Sequence, residues 1–514
     1  MKKPPLLHPF LFALFPVLFL FAHNLGQVRP GDILLPSAFL LIVTLLLILL
    51  LASVLKDYKK AGLIVSLALI LCFSYGPIYD TGLWWQINGF FIMRHRYLTA
   101  IWGALFILGI YGIIKRRGNL DNVTRIFNVV AGSLVAISLI NIVFYEVTAS
   151  LGKWAVKNHT PGNLNICITK SEAASVCPDI YYIILDRYNR ADILKEVYGF
   201  DNSEFINYLT SKGFYVASRS NANYGDTEQS LCSSLNMEFI RDMSNNVLAK
   251  LNDRRLIYDK LQNHRVLRFL KSHGYRYVHL GSFFQPTSHN HYADINFNWY
   301  LLSEFPLALY KTSIFCSILE KLELYDVRRE QWERTLYEFD KLSNMPGDSR
   351  PTFVFAHLVI PHDPYVFDSN GDFLTKEEAD KRSHKENYLN QIIFANREVR
   401  KLVDKLLSSE KPPIIIIQSD EGQYPLKYLA DFYKWPWKNA PRGELREKMG
   451  ILNAYYLPGA DKSILYPSIT PVNSFRVVFN LYFGEEFELL PDRSYAFSDN
   501  LHLYDFVDVS DKIK

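Results

Sequence analysis

Hydrophobic positions follow two different patterns along the chain. Up to about residue 150 they form long unbroken apolar runs; beyond it they form short runs and helical periods set among charged and polar residues. Five runs, residues 5–22, 33–55, 61–79, 97–114 and 126–147, have the length of a membrane-spanning helix, about 20 residues. Lys2 and Lys3 precede the first run, as in a signal peptide. No small-x-small cleavage pattern follows, and four more runs do, so this run is read as a retained span. Basic residues cluster before the first run, between the second and third (Lys56, Lys59, Lys60), and between the fourth and fifth (Lys115, Arg116, Arg117, Arg125). The alternate loops hold only Arg29, Arg94 and Arg96. Basic residues mark the cytoplasmic side, so the N-terminus is expected inside and everything after about Thr148 outside. Trp84, Trp85, Phe90 and Phe91 suit a segment at the outer interface. The spans hold almost no ionisable residues, which argues against an ion or proton pathway. They are expected to anchor the rest of the chain and to present lipid to it.

After a polar linker, residues 151–178, strand and helix patterns alternate. Strands are expected at 180–185, 214–217, 275–280, 352–359, 414–417 and 449–457. Helices are expected at 192–198, 203–211, from Thr227 onward, and at 328–342, 377–408 and 474–483. This alternation predicts an α/β domain with a largely parallel central sheet over residues 179–514, following a transmembrane domain over 1–150.

A net charge of +4 spread over 514 residues, with no basic tract interleaved with aromatics, gives no reason to expect nucleic-acid binding. Five cysteines are present. Cys167 and Cys177 flank a short polar loop and could pair in an oxidising compartment; Cys72, Cys232 and Cys316 lack zinc-ligand spacing.

Two apolar strands, far apart in sequence, each deliver an acid at their end. Residues 180–185 run into Asp186, and the four isoleucines 414–417 run into Asp420-Glu421-Gly422. Open α/β sheets keep their chemistry outside the carboxyl ends of the strands, and paired acids there suggest a metal. Thr227 falls near a helix N-terminus, which favours an incoming anion. A hydroxyl becomes a competent nucleophile when a divalent cation stabilises its alkoxide.

The segments YYIILDRY, NYGDTEQSLCSSLN, AHLVIPHDPYVF and IIIIQSDEG, in this order, resemble the alkaline phosphatase and sulfatase superfamily. With the five spans they resemble its membrane-anchored branch of lipoteichoic-acid synthases and phosphoethanolamine transferases. The resemblance implies Asp186, Thr227, Asp420 and Glu421 as metal ligands, Thr227 as the nucleophile and His362 as a substrate contact. It also implies one divalent cation. Three carboxylates and a hydroxyl form a hard oxygen cage that suits Mn²⁺, Mg²⁺ or Ca²⁺ better than Zn²⁺. The sequence departs from the family at Glu421, where a His is usual, and in having no His between Gln423 and Pro458. Either Glu421 serves as an oxygen ligand in its place, or the site is weakened and the protein serves envelope assembly as a partner. The expected activity is transfer of a phospho-head-group (phosphoglycerol or phosphoethanolamine type) from a membrane lipid to a glycan or lipid acceptor. A phosphatase-type or sulfatase-type hydrolase is the alternative, although no C/S-x-P-x-R sulfatase signature is present. His357, inside a strand, reads as a packed core residue; His289, His291 and Asp294 as loop residues; Arg219, Arg442 and Arg446 as surface arginines; and Glu228 as a helix-start charge.

Overall fold

The computed structural model describes residues 3–82, 86–87, 90–91, 95–157, 178–241, 252–322, 324–345, 350–428, 436–499 and 502–514. Lys2, Trp84, Trp85, the Cys167–Cys177 pairing and most of the linker lie outside these residues. The chain forms two compact units. One comprises residues 1–158 and 302–326; the other comprises 159–301 and 327–514. The expected 179–514 domain is therefore interrupted by a segment that belongs with the apolar helices.

The first unit contains α1 (His8–His23), α2 (Leu34–Leu55), α3 (Tyr58–Gly82), α4 (His95–Lys115) and α5 (Asp121–Lys157). Four helical segments among the described residues, covering α2 to α5, are long and apolar enough to cross a membrane. The fifth expected span is shorter: α1 has 16 residues, about 24 Å of helix. His8 N–H donates to Asn128 Oδ1 and Asn128 Nδ2 to Pro5 O, both at 2.8 Å. Lys60 Nζ donates to Ile114 O at 2.8 Å, and Lys59 pairs with Asp121. These bonds bring the start of α1, the α2–α3 turn and the α4–α5 turn to one end of the bundle. The basic loops of the sequence thus share a side.

The second unit is built on seven strands: β1 (Ile180–Leu185), β2 (Tyr215–Val216), β3 (Arg276–Leu280), β4 (Ile295–Phe297), β5 (Thr352–Leu358), β6 (Ile414–Gln418) and β7 (Asn453–Tyr456). Their order is β2-β7-β6-β1-β5-β3-β4. The five strands from β6 to β4 are parallel, and β7 and β2 close one edge antiparallel. This is the expected largely parallel α/β sheet. β1, β5 and β6 are wholly buried, which explains their unbroken β-branched and aromatic runs: both faces must be apolar. One face is covered by α6 (Thr227–Asn236) and, later in the chain, by Ser474–Phe483. The other is covered by α7 (Val327–Ser343) and α8 (His384–Leu407).

Two boundaries differ from expectation. The 377–408 pattern breaks where Ser383 caps α8, accepting from Glu386 N–H at 3.1 Å. The 449–457 strand starts late because α9 (Arg442–Met449) holds the backbone as far as Gly450, whose N–H donates to Arg446 O at 2.8 Å. A buried polar ladder locks α6 and a late helix, α10 (Ser474–Phe483), to the sheet. Tyr182 Oη bonds Gln418 Oε1 at 2.7 Å and Ser234 Oγ at 3.0 Å, while Gln418 Nε2 donates to Asn453 Oδ1 at 2.9 Å and Ser474 Oγ at 3.1 Å.

Glu338 of α7 is buried with neither carboxylate oxygen hydrogen-bonded. Burial pushes it up to about 8, against the pull of Arg334. A folded-state value above the unfolded one means that the folded form holds the extra proton. Its stability is full below the unfolded value and falls as pH rises towards 8. Glu338→Gln removes that penalty. Its midpoint of thermal unfolding should exceed wild type at pH 8 and approach it at pH 5.

Candidate active site and metal centre

Three neighbouring parallel strands bring the site together. Ile184 of β1 stands in register with His357 of β5 on one side and Gln418 of β6 on the other. Asp186 and Asp420, each two residues further on, therefore emerge level with one another. Asp186 N–H donates to Leu358 O at 3.0 Å, which fixes the exit of β1. Asp186, His357 and Asp420 are buried, and one ligand atom from each lies within 4.8 Å of the others. Asp186 Oδ1 and Asp420 Oδ2 have no hydrogen-bond partner.

His357 is oriented from behind, its Nδ1 2.9 Å from Thr287 Oγ1, so that Nε2 lies 3.3 Å from Asp186 Oδ2. Burial opposes the charge on Asp186, but His362, His357 and Arg187 hold it well below the usual carboxylate range. Burial, and then the Asp186 charge, push Asp420 up. His357 is pushed up: burial disfavours its charge, and the adjoining Asp186 carboxylate outweighs that cost. Two buried carboxylates with bare oxygens, facing an imidazole nitrogen fixed by a second hydrogen bond, fit a divalent cation.

Thr227 is the first residue of α6, and its side chain lies beside the Asp420 carboxylate, whose charge it favours. Ser230 Oγ donates to Asp420 O at 2.6 Å, pinning the first turn of the helix to the end of β6. The amide groups of that turn and the helix dipole favour negative charge beside the hydroxyl.

Glu421 faces a different environment. Lys448 Nζ of α9 lies 2.7 Å from Glu421 Oε2, and Arg187 Nε donates to Oε1 at 3.2 Å. Lys448 is buried over the Tyr424 ring, 3.2 Å from its centroid. Burial pushes Glu421 up and Lys448 down, each to about 8, and each partner opposes the other's shift. Gly422 makes the approach of α9 feasible. A Cβ there would lie 2.1 Å from Glu447 O, and Gly422 N–H donates to Lys448 O at 2.7 Å. Lys448→Met leaves Glu421 buried without its ammonium and should cost about 3 kcal/mol. Thermal unfolding of Lys448→Met, Glu421→Gln and the double variant checks this, with the double variant recovering part of the loss.

A cavity of about 190 Å³ opens over these groups, lined among others by Asp186, Arg187, Thr227, Arg254, His362 and Glu421. Arg187, in a left-handed backbone conformation with φ 63°, is held by Glu421, by Asp363 Oδ1 at 2.7 Å and by the Tyr424 ring at 4.2 Å. Arg254 pairs with Glu228 and, at 3.4 Å, with Asp226. Glu228 is thus a buried, paired acid, pushed up to about 7 by burial against the pull of Arg254.

Of the expected site residues, Asp186, Thr227, His362 and Glu421 line the cavity, and Asp420 is buried beside Asp186 and His357. The trio with converging ligand atoms contains His357 rather than Glu421. Sequence reasoning read His357 as a core residue and passed over Arg187, Arg254 and Lys448. Among the remaining candidates, Arg446 pairs with Asp192 and Glu196 and Arg442 donates to Lys514 O. Asp294 Oδ2 accepts from Tyr277 N–H at 2.7 Å.

The sulfatase family pattern matches residues 180–468, more than half of the chain and all of the strands that carry the site. The chain belongs to the sulfatase family. It thereby joins the alkaline phosphatase and sulfatase superfamily, whose four motifs the sequence resembles. No curated protein sequence matches it. Similar solved structures include the integral membrane protein lipooligosaccharide phosphoethanolamine transferase A (EptA) of Neisseria meningitidis. It is 12% identical, with 92% of this chain and 95% of that one covered and a TM-score of 0.42. The periplasmic domain of EptC from Escherichia coli in complex with Zn is 11% identical, covering 66% and 94%, with a TM-score of 0.44. The putative sulfatase yidJ of Bacteroides fragilis is 12% identical, covering 64% and 83%, with a TM-score of 0.35.

Proposed function

We propose that this sulfatase-family chain transfers a phospho-head-group from a membrane lipid to a glycan or lipid hydroxyl, with Thr227 as the nucleophile. The observation that carries the reading is the Thr227 hydroxyl. It starts α6 and lies beside Asp420, next to Asp186 and His357. We assign Asp186, Asp420, His357 and Thr227 to one divalent cation, and Glu421 to the fixing of Arg187 and Lys448. When bound, the ion supplies positive charge that favours the alkoxide and neutralises phosphoryl oxygens. Mn²⁺, Mg²⁺ and Ca²⁺ suit the oxygen donors, and the imidazole extends the choice to Zn²⁺.

In the first step Thr227 Oγ forms a bond to phosphorus and its proton leaves to water. The ester bond to the lipid alcohol breaks, and His362, at the cavity wall, protonates the departing oxygen. In the second step the acceptor hydroxyl attacks phosphorus and returns its proton to His362. The Thr227–phosphorus bond breaks, and Thr227 regains a proton from water. Arg187 and Arg254 provide guanidinium groups for the phosphoryl oxygens. The basic end of the helix bundle is assigned to the cytoplasm and the catalytic unit to the outside, as the sidedness of basic loops requires.

Full-length protein supplied with a fluorescent phosphatidylethanolamine or phosphatidylglycerol tests the reading. Release of diacylglycerol with the head group appearing on an added glycan or lipid acceptor supports transfer. Release of the free head-group phosphate assigns the same site to a hydrolase, and no release from either donor with metal supplied favours the partner-protein alternative.

A further inference from the structure

The helices Glu304–Lys311 and Ile314–Lys321 belong to the apolar unit, although the chain enters them from the globular unit and returns to it. One side of this hairpin is seated on the bundle. Phe305 and Leu309 are buried with Val17 and Phe21 of α1 and with Val28. At the turn, Gly76 N–H of α3 donates to Thr312 O at 3.0 Å. A Cβ at Gly76 would lie 2.6 Å from that same oxygen, so a glycine is what admits the close approach. Ser317 Oγ lies 3.0 Å from His95 Nδ1 of α4.

The outer side is apolar and bare. Phe315 is 55% exposed, Leu322 60% and Leu324 70%. Each helix has 8 residues, about 12 Å, and cannot cross a hydrocarbon core of about 30 Å. Glu304, Lys311, Glu320 and Lys321 stand at the helix ends, and Tyr310 packs edge-on against Tyr325 at 5.3 Å between centroids. Short helices with apolar flanks, charged ends and tyrosines belong at the boundary between head groups and acyl chains. The helices it is seated on carry exposed apolar side chains of their own, such as Ile78 of α3 and Ile101 of α4.

We propose that residues 302–326 form an interfacial hairpin, seated on the membrane helices, whose Phe315, Leu322 and Leu324 insert into bilayer lipid. The globular unit is then joined to membrane-embedded structure at three points along the chain rather than through the linker alone. The proposal is independent of the reaction at Thr227.

The test uses the full chain in vesicles of phosphatidylethanolamine and phosphatidylglycerol, with p-benzoylphenylalanine placed singly at Phe315, Leu322, Leu50 or Leu426. Leu50 of α2 is the lipid-facing control, and Leu426, 61% exposed in the globular unit, is the aqueous control. After irradiation, lipid-mass adducts at both Phe315 and Leu322, as at Leu50 and unlike Leu426, are expected, and they should persist in a Thr227→Ala background. A missing lipid adduct at either hairpin position while Leu50 gives one, or cross-links there to a second copy or another protein, overturns the proposal.

Discussion

Thr227→Ala should abolish turnover, with a fall in kcat of at least about a thousandfold, some 4 kcal/mol of transition-state stabilisation. The variant should keep its fold, because α6 is held by contacts that Thr227 does not make. Ser230 Oγ bonds Asp420 O, and Ser234 Oγ bonds Tyr182 Oη. It should also keep its divalent ion, since Asp186, His357 and Asp420 remain. Thr227→Ser restores the hydroxyl and should recover much of the rate. Activity in Thr227→Ala comparable to wild type would remove the nucleophile from the account, whatever the metal content. Release of the labelled lipid alcohol, read beside metal content and unfolding temperature on the same preparations, separates these effects.

Asp420→Asn should have opposite effects with and without metal. In the metal-free protein, Asp186 and Asp420 are buried side by side, and burial together with the Asp186 charge pushes Asp420 up. Neutralising one carboxylate removes that repulsion, so metal-stripped Asp420→Asn should unfold at a higher temperature than metal-stripped wild type. With saturating Mn²⁺ or Zn²⁺ the order should reverse, because ion binding stabilises only a chain that can hold the ion. Asp186→Asn should lose the response to metal as well, but without the gain in the metal-free state, because His362, His357 and Arg187 favour the Asp186 charge. Differential scanning of the four preparations, with metal content measured in parallel, reads both signs. A wild-type unfolding temperature that does not respond to any divalent ion would contradict the metal assignment.

The elements that carry the site were legible because both faces of a parallel strand must be apolar. The runs at 180–185 and 414–417 read as strands, and their terminal acids marked the sheet end where chemistry collects. Thr227 was legible through the apolar spacing of the helix that it starts. His357 was not, because a histidine within an apolar strand looks the same in sequence whether it fills the core or faces a ligand. Its role depends on register: β5 lies beside β1 with His357 level with Ile184, 173 residues away in the chain, and such distant pairing leaves no local trace. Lys448 was missed for a similar reason. It lies in a charged stretch whose Arg442 and Arg446 read as surface residues, yet Gly422 lets the helix Arg442–Met449 press against the end of β6. The signal in the sequence was the glycine after Asp420-Glu421, which marks a close backbone approach without naming its partner. The 302–326 hairpin was hidden because 8-residue helices fall well below the span length that hydropathy detects.

The most direct test of the account is the covalent state of Thr227. Full-length protein with bound Mn²⁺ or Zn²⁺ is mixed with a phospholipid donor in the absence of acceptor, quenched in acid and digested. Peptide mass spectrometry should place a head-group phosphoester on Thr227, and addition of an acceptor before the quench should discharge it. A donor consumed at full rate with Thr227 unmodified, or with the phosphoester on another side chain, would contradict the account.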